Sequence, residues 1–160
     1  MNAELSQHIV EKVVLRLQQR AVSTRTLSPT QLQRADLQAL FCHYSTLYVT
    51  PVDLQFLQQI IENGSAAESI HTALAWGIHV RLSLRRSLLP AIPVKQLARL
   101  PLELSDEHGQ RIFLHSSRLL SYVHVAPLSE GVLVLRSKCV VTALAREAAD
   151  ARNIQLLKQE

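Results

Sequence analysis

The sequence predicts an α/β fold: a small mixed sheet with crossover helices, preceded by an N-terminal amphipathic helix. Three observations predict it. An apolar stripe at helical spacing fills the first twenty or so residues. A strand–helix–helix–strand order follows, the signature of a parallel crossover. Two short apolar runs then flank Asp106-Glu107-His108-Gly109, as in a hairpin.

Residues 1–22 form the predicted helix. Leu5, Ile9, Val10, Val13, Val14 and Leu17 recur on one side, with Gln7, Glu11, Gln18, Gln19 and Arg20 on most of the other. Leu15 faces away from the stripe. Residues 23–30 are polar, contain Ser28-Pro29, and read as a linker or an extended entry. A single α/β domain is expected over residues 31–160.

Within that domain, residues 39–43 and 46–50 have the composition of strands. Thr50-Pro51-Val52-Asp53 then reads as a helix start, with Thr50 as cap and Pro51 in the first turn. Asn63-Gly64 stops that helix, and Ser65-Ala66-Ala67-Glu68 has capping-box spacing for the next one. The second helix runs to Trp76 with Ala66, Ile70, Ala73 and Leu74 inward. Residues 78–84 alternate apolar and polar, as a half-buried strand does. Pro90 and Pro93 punctuate short helical turns. Residues 102–104 and 111–114 pair across the hairpin, and residues 132–135, 139–141 and 154–157 are further strands. A helix over 143–152, begun by Thr142, offers Leu144, Ala148 and Ala151 as a narrow inner face, with an Arg146–Asp150 pair as helix support.

Composition excludes several classes. With 48% hydrophobic and 19% charged residues, the chain is globular rather than disordered. Aromatic residues at 4% leave little to stack bases on, and a net charge of +4 is mild, so no nucleic-acid partner is expected. Glu4, Gln7, Glu11 and Lys12 interrupt any secretory apolar core, and no run spans a bilayer, so a cytoplasmic protein with no membrane partner is expected.

Cys42 and Cys139 both lie in apolar runs without Cys-x-x-Cys spacing, and read as buried free thiols. The 7 histidines show no metal-ligand spacing, so no metal is expected. His115 or His124 beside Cys139 would be the ingredients of a thiol enzyme, but no surrounding motif supports one. No glycine cluster opens a helix, which leaves no phosphate-cradling loop. Neither a catalytic residue nor a cofactor is assigned. One charge feature remains: no acid lies between Glu68 and Glu103, while Arg81, Arg85, Arg86, Lys95 and Arg99 all fall there. Clustered in space, they make a basic dock for an acidic segment or a phosphate-bearing ligand.

Three stretches resemble a known family. Residues 139–156 (CVVTALAREAADARNIQL) resemble a tail found in several microcompartment-associated proteins. Residues 88–102 (LLPAIPVKQLARLPL) and 119–126 (LLSYVHVA) look like the PduM family of propanediol-utilisation bacterial microcompartments. The resemblance implies a non-catalytic assembly protein in the cytoplasmic microcompartment, connecting encapsulated enzymes to shell proteins. It brings no catalytic residues with it. The alternative is a small cofactor- or phosphate-ligand-binding α/β enzyme of the same pathway. Microcompartment cargo commonly docks through short amphipathic helices. That makes Leu5, Ile9, Val10, Val13, Val14 and Leu17 the candidate partner-binding residues.

Overall fold

The structure is a computed structural model that describes residues 3–160. It begins with helix α1 (Ala3–Ala21), which contains neither glycine nor proline. Glu4 in its first turn and Arg20 in its last complement the helix dipole.

Strand β1 (Thr24–Leu27) follows, so much of the segment expected to be a linker is hydrogen-bonded into the sheet. Its short length and its exposed Thr24, Arg25 and Thr26 concealed it as a strand. Helix α2 (Pro29–Arg34) starts inside the same segment, on a capping box: Ser28 Oγ accepts from the Gln31 amide at 3.1 Å, and Gln31 Oε1 accepts from the Ser28 amide at 3.0 Å. Residues 39–43 are not a strand but part of helix α3 (Leu37–His43). Asp36 caps it by accepting from the Ala39 amide at 3.3 Å. Leu37, Leu40 and Phe41 then fall on one helical side, with Phe41 buried and edge-on to Trp76 at 5.1 Å. Helical spacing thereby wins over β-forming composition.

Strand β2 (Thr46–Val52) continues through Thr50 and the cis-linked Pro51, so neither starts a helix. Pairing of Val52 with Leu84 keeps the chain extended to that point. The cap is Asp53, whose Oδ1 accepts from the Phe56 amide at 2.7 Å and opens α4 (Leu54–Ile61). Asn63, at φ 54°, takes the left-handed stop. Ser65–Ala67 forms a 3-10 turn without a side-chain cap, so the expected capping box does not close. It leads into α5 (Glu68–Ala75), which buries Ile70 and Ala73, while Ala66 and Leu74 are half-buried.

Strand β3 (His79–Leu84), the proline-bearing 3-10 stretch Arg86–Ala91 and α6 (Val94–Leu97) come next. The hairpin β4 (Leu102–Ser105) to β5 (Arg111–His115) forms as expected. After it come β6 (Leu119–Leu120), α7 (Tyr122–Val125), β7 (Gly131–Leu135) and β8 (Val140–Val141). Helix α8 (Ala143–Ala151) and strand β9 (Ile154–Lys158) close the chain. Thr142 caps α8 by accepting from the Ala145 amide at 3.2 Å. Ala148 faces inward as expected, but it is joined there by Ala145 and Ala149 rather than by Leu144 and Ala151. Leu144 is 64% exposed. Small side chains let α8 sit close on the sheet, and leucine points outward.

The main sheet has the order β1-β2-β3-β4-β5-β7-β9. β1 to β4 are mutually parallel, as are β5, β7 and β9; the hairpin joins the two blocks antiparallel through only Leu104–Ile112 and Ser105–Arg111. β6 and β8 form a separate parallel pair. The larger core lies on one sheet face, where Leu47, Val49, Val80, Leu82, Leu104, Ile112, Val132 and Val134 meet apolar residues of α2, α4, α5 and α6. A second core lies on the opposite face of the β5-β7-β9 block. There Leu133, Leu135 and Ile154 pack with Val125, Ala145, Ala148 and Ala149. By strand alternation, that opposite face of the β1–β4 block carries Thr24, Thr26, Thr46, Tyr48, Arg81 and Glu103.

Asp106 anchors the hairpin turn. It is 1% exposed, and its Oδ1 accepts from the amides of His108 at 2.9 Å and Gln110 at 2.8 Å. Its Oδ2 is buried without a protein partner. Asp106→Ala removes both acceptor contacts and should cost about 1–3 kcal/mol. Asp106→Asn keeps one acceptor oxygen and should lie nearer the parent. Urea denaturation of the two variants measures this; an unchanged midpoint for Asp106→Ala would contradict the turn's dependence on that carboxylate.

Candidate functional site

Helix α1 has no buried residue along its 19 positions. Leu5, Ile9, Val10, Val13, Val14 and Leu17 are between 45% and 59% exposed. At 100° per residue they form one broad apolar ridge. Its borders differ in charge. Lys12, Arg16 and Arg20, four residues apart, start at one border and drift into the ridge's own angular range; Glu4, Gln7 and Glu11 lie beyond the other border. Leu15, also exposed, lies outside the ridge as expected.

The last turn ties the helix to the body. Arg20 Nε donates to the Phe41 carbonyl at 3.0 Å, and Ser45 Oγ donates to the Ala21 carbonyl at 3.1 Å. Ser23 Oγ donates to the Gln19 carbonyl, and the Ser23 amide to the Arg20 carbonyl at 3.0 Å. Among the described residues, the remaining turns make no side-chain hydrogen bond to the body, and the one side-chain contact within them is the exposed Gln7–Glu11 pair at 3.3 Å. A helix of this length is marginal alone in water, and burying each ridge side chain is worth about 1.5–3 kcal/mol. The ridge is thus left open to solvent in the isolated chain.

The five cations of the acid-free stretch are distributed over three places. Arg81 lies on the polar sheet face, 3.3 Å from Glu103 and over the Tyr48 ring at 5.8 Å. Arg111 reaches the same carboxylate at 3.6 Å. Arg85 and Arg86 follow the end of β3, where the Arg86 amide donates to Glu107 at 2.7 Å and its guanidinium donates to Gln110 and Gln155. Lys95 lies on α6, and Arg99 lies just beyond it; both are exposed. The Arg86 amide, aided by the His108 and Arg86 charges, holds the Glu107 carboxyl below its usual range. Its contribution to the turn is complete above the ordinary glutamate pKa and is lost as pH falls through the depressed value.

The cysteines differ. Cys139 is buried as expected, while Cys42 is exposed on α3, because its position falls outside the Leu37–Leu40–Phe41 side. Burial pushes the Cys139 thiol above its usual pKa, against the opposing charges of Lys158 and Arg136. Native protein should therefore lose one thiol quickly to an aromatic disulfide reagent and the second only on unfolding. Equal rates for both would overturn that assignment.

The ring centroids of His115 and His124 lie 4.6 Å apart with their planes tilted by 56°, and both rings have structural partners. His124 Nδ1 accepts from the Ser121 amide at 3.0 Å, and His115 Nε2 lies 2.8 Å from the Leu119 carbonyl. The sulfur contact recorded for Cys139 is to the Val140 carbonyl at 3.8 Å, not to either ring. His71 Nε2 lies 2.6 Å from the Ile60 carbonyl. Among the described residues, no group of three His, Cys, Asp or Glu side chains is placed to hold a metal. No helix of the described residues is long and apolar enough to cross a membrane.

Fold and ridge together define an α/β protein that carries an open amphipathic helix. Comparison with known proteins narrows this class. The family described as "Putative propanediol utilisation" matches residues 8–155. The bacterial microcompartment assembly protein PduM of Salmonella typhimurium is 55% identical, and its namesake in Citrobacter freundii is 54% identical; each alignment covers 100% of both chains. The chain belongs to the PduM family. No solved structure matches it significantly.

Proposed function

We propose that the chain is a non-catalytic assembly protein of the propanediol-utilisation microcompartment, acting in the cytoplasm inside that compartment. Full-length similarity to relatives named as assembly proteins supports the role. Those names lend nothing to the cofactor- or phosphate-binding enzyme alternative. In this reading α1 and its ridge form the docking unit, and the α/β body behind it carries the other contacts. Shell proteins and encapsulated enzymes are the partners, with the chain linking one to the other. The carrying observation is the ridge itself: six large aliphatic side chains on one helix, none of them buried.

A tagged full-length chain, isolated from cells assembling microcompartments, should bring shell and enzyme components with it. A form lacking residues 1–22 should lose one of the two sets. Mass spectrometry of the recovered proteins measures both. Identical recovery with and without the helix would remove α1 from the docking role.

A further inference from the structure

We propose that the surface that receives α1 is an apolar groove on a partner protein, with carboxylates along the one wall that meets Lys12, Arg16 and Arg20. This rests on the docking role of the ridge and names the chemistry that the ridge meets. At about 100° per residue, the ridge spans about 180° of the helix, from Leu5 at one border to Val14 at the other. Each cation comes three residues after a ridge side chain: Lys12 after Ile9, Arg16 after Val13, Arg20 after Leu17. Each is therefore one turn along and about 60° round from its apolar neighbour. Glu11 and Glu4 lie about 60° and about 80° beyond the Val14 border, on the back of the helix. The docking side thus presents aliphatic and cationic side chains together, and no acid.

The body extends the cationic edge. Between the end of α1 and the end of α3 lies an open cleft of about 330 Å³, walled by Arg16, Arg20, Cys42, His43 and Tyr44. Among the described residues no acidic side chain lines it, and none of Lys12, Arg16 and Arg20 forms an ion pair. A convex apolar helix fits a groove. Cations brought into that contact lose water, and carboxylates on the facing wall offset the loss. A bilayer surface matches less well. A helix lying on anionic lipid carries its cations across the polar face. Here the polar face holds Glu4 and Glu11, and α3 stands beside the cationic edge, where a flat surface needs clear access.

Isolated microcompartments opened by sonication are the probe, and full-length chain labelled at its C-terminus is measured as it pellets with them. Parent binding should weaken from about 0.01 M to about 0.15 M ionic strength, as the screening length falls from about 30 Å to about 8 Å. Lys12→Glu/Arg16→Glu leaves every ridge side chain in place, together with the Arg20 anchor, and should weaken binding at least about tenfold. Glu4→Gln/Glu11→Gln should bind as the parent does. A carbodiimide, which joins an amine to a carboxylate without a spacer, should couple Lys12 to an aspartate or glutamate of the partner, located by mass spectrometry. Circular dichroism confirms that each variant is folded. Full binding by folded Lys12→Glu/Arg16→Glu, equal loss in Glu4→Gln/Glu11→Gln, or tighter binding of the parent to vesicles of phosphatidylglycerol and phosphatidylcholine would overturn the proposal. If Val13→Asp/Val14→Asp abolishes binding and Lys12→Glu/Arg16→Glu does not, the ridge docks on a surface without acids, and only this inference falls. A parent that does not pellet at all removes the docking reading and this inference with it.

Discussion

Full-length protein carrying Val13→Asp and Val14→Asp should keep its thermal stability and lose its recruitment to microcompartments. Both side chains stand on the ridge, 51% and 45% exposed, and neither contributes to a buried cluster. Introducing carboxylates there removes no core contact, so the change in folding stability should stay within about 0.5 kcal/mol. On a bound ridge the same substitutions bury unpaired charge. Each lost aliphatic contact is worth about 1.5–3 kcal/mol, and every 1.4 kcal/mol is about tenfold in affinity. Loss of at least about a hundredfold follows. Co-purification with isolated microcompartments reads the effect, with differential scanning calorimetry as the folding control. Undiminished recovery of the variant would exclude the ridge as the recruiting surface.

The second large effect belongs to the body. Leu82 is fully buried at the centre of β3, between β2 and β4 and under the larger core. Leu82→Ala should cost about 2–5 kcal/mol, through lost transfer energy and the cavity left behind. A domain of this kind holds about 5–15 kcal/mol in all, so the variant approaches the edge of stability. Urea titration followed by circular dichroism measures it. A cost below about 1 kcal/mol would mean that the sheet centre repacks freely, contrary to the close packing of a buried core.

The α/β class was legible because both periodicities were intact. The ridge of α1 repeats at helical spacing, and residues 78–84 alternate, so each declared its element without help from neighbours. The hairpin at residues 106–109 was legible from turn chemistry, and Asn63 and Asn153 adopt positive φ where helix stops were expected. Failures came where long-range pairing or close packing decided. Residues 24–27 look polar because an edge strand needs only one buried side chain, Leu27. Thr50-Pro51 has helix-start chemistry, but pairing with β3 holds it extended and moves the cap to Asp53. Leu144 yielded the inner face of α8 to alanines, since only small residues fit the close approach. A local signal did exist for α2: the Ser28–Gln31 capping box stands in the sequence. As for the candidate site, the ridge could be written down from its spacing, and its exposure required the fold.

The junction of the two parallel blocks has a mechanical consequence. Only two residue pairings cross it, and the apolar packing that spans it, through Leu104, Ile112 and Val132, lies on one side. The other side is bridged by the exposed Glu103–Arg111 contact, which contributes about 0–1 kcal/mol. Further ties cross the same seam beyond the ladder: Gln159 Nε2 donates to the Leu89 and Ile92 carbonyls at 2.9 and 2.8 Å, and the Arg86 guanidinium donates to Gln155. The alignment of the two blocks therefore rests on side chains outside the ladder, at the far end of β9, as much as on the ladder itself.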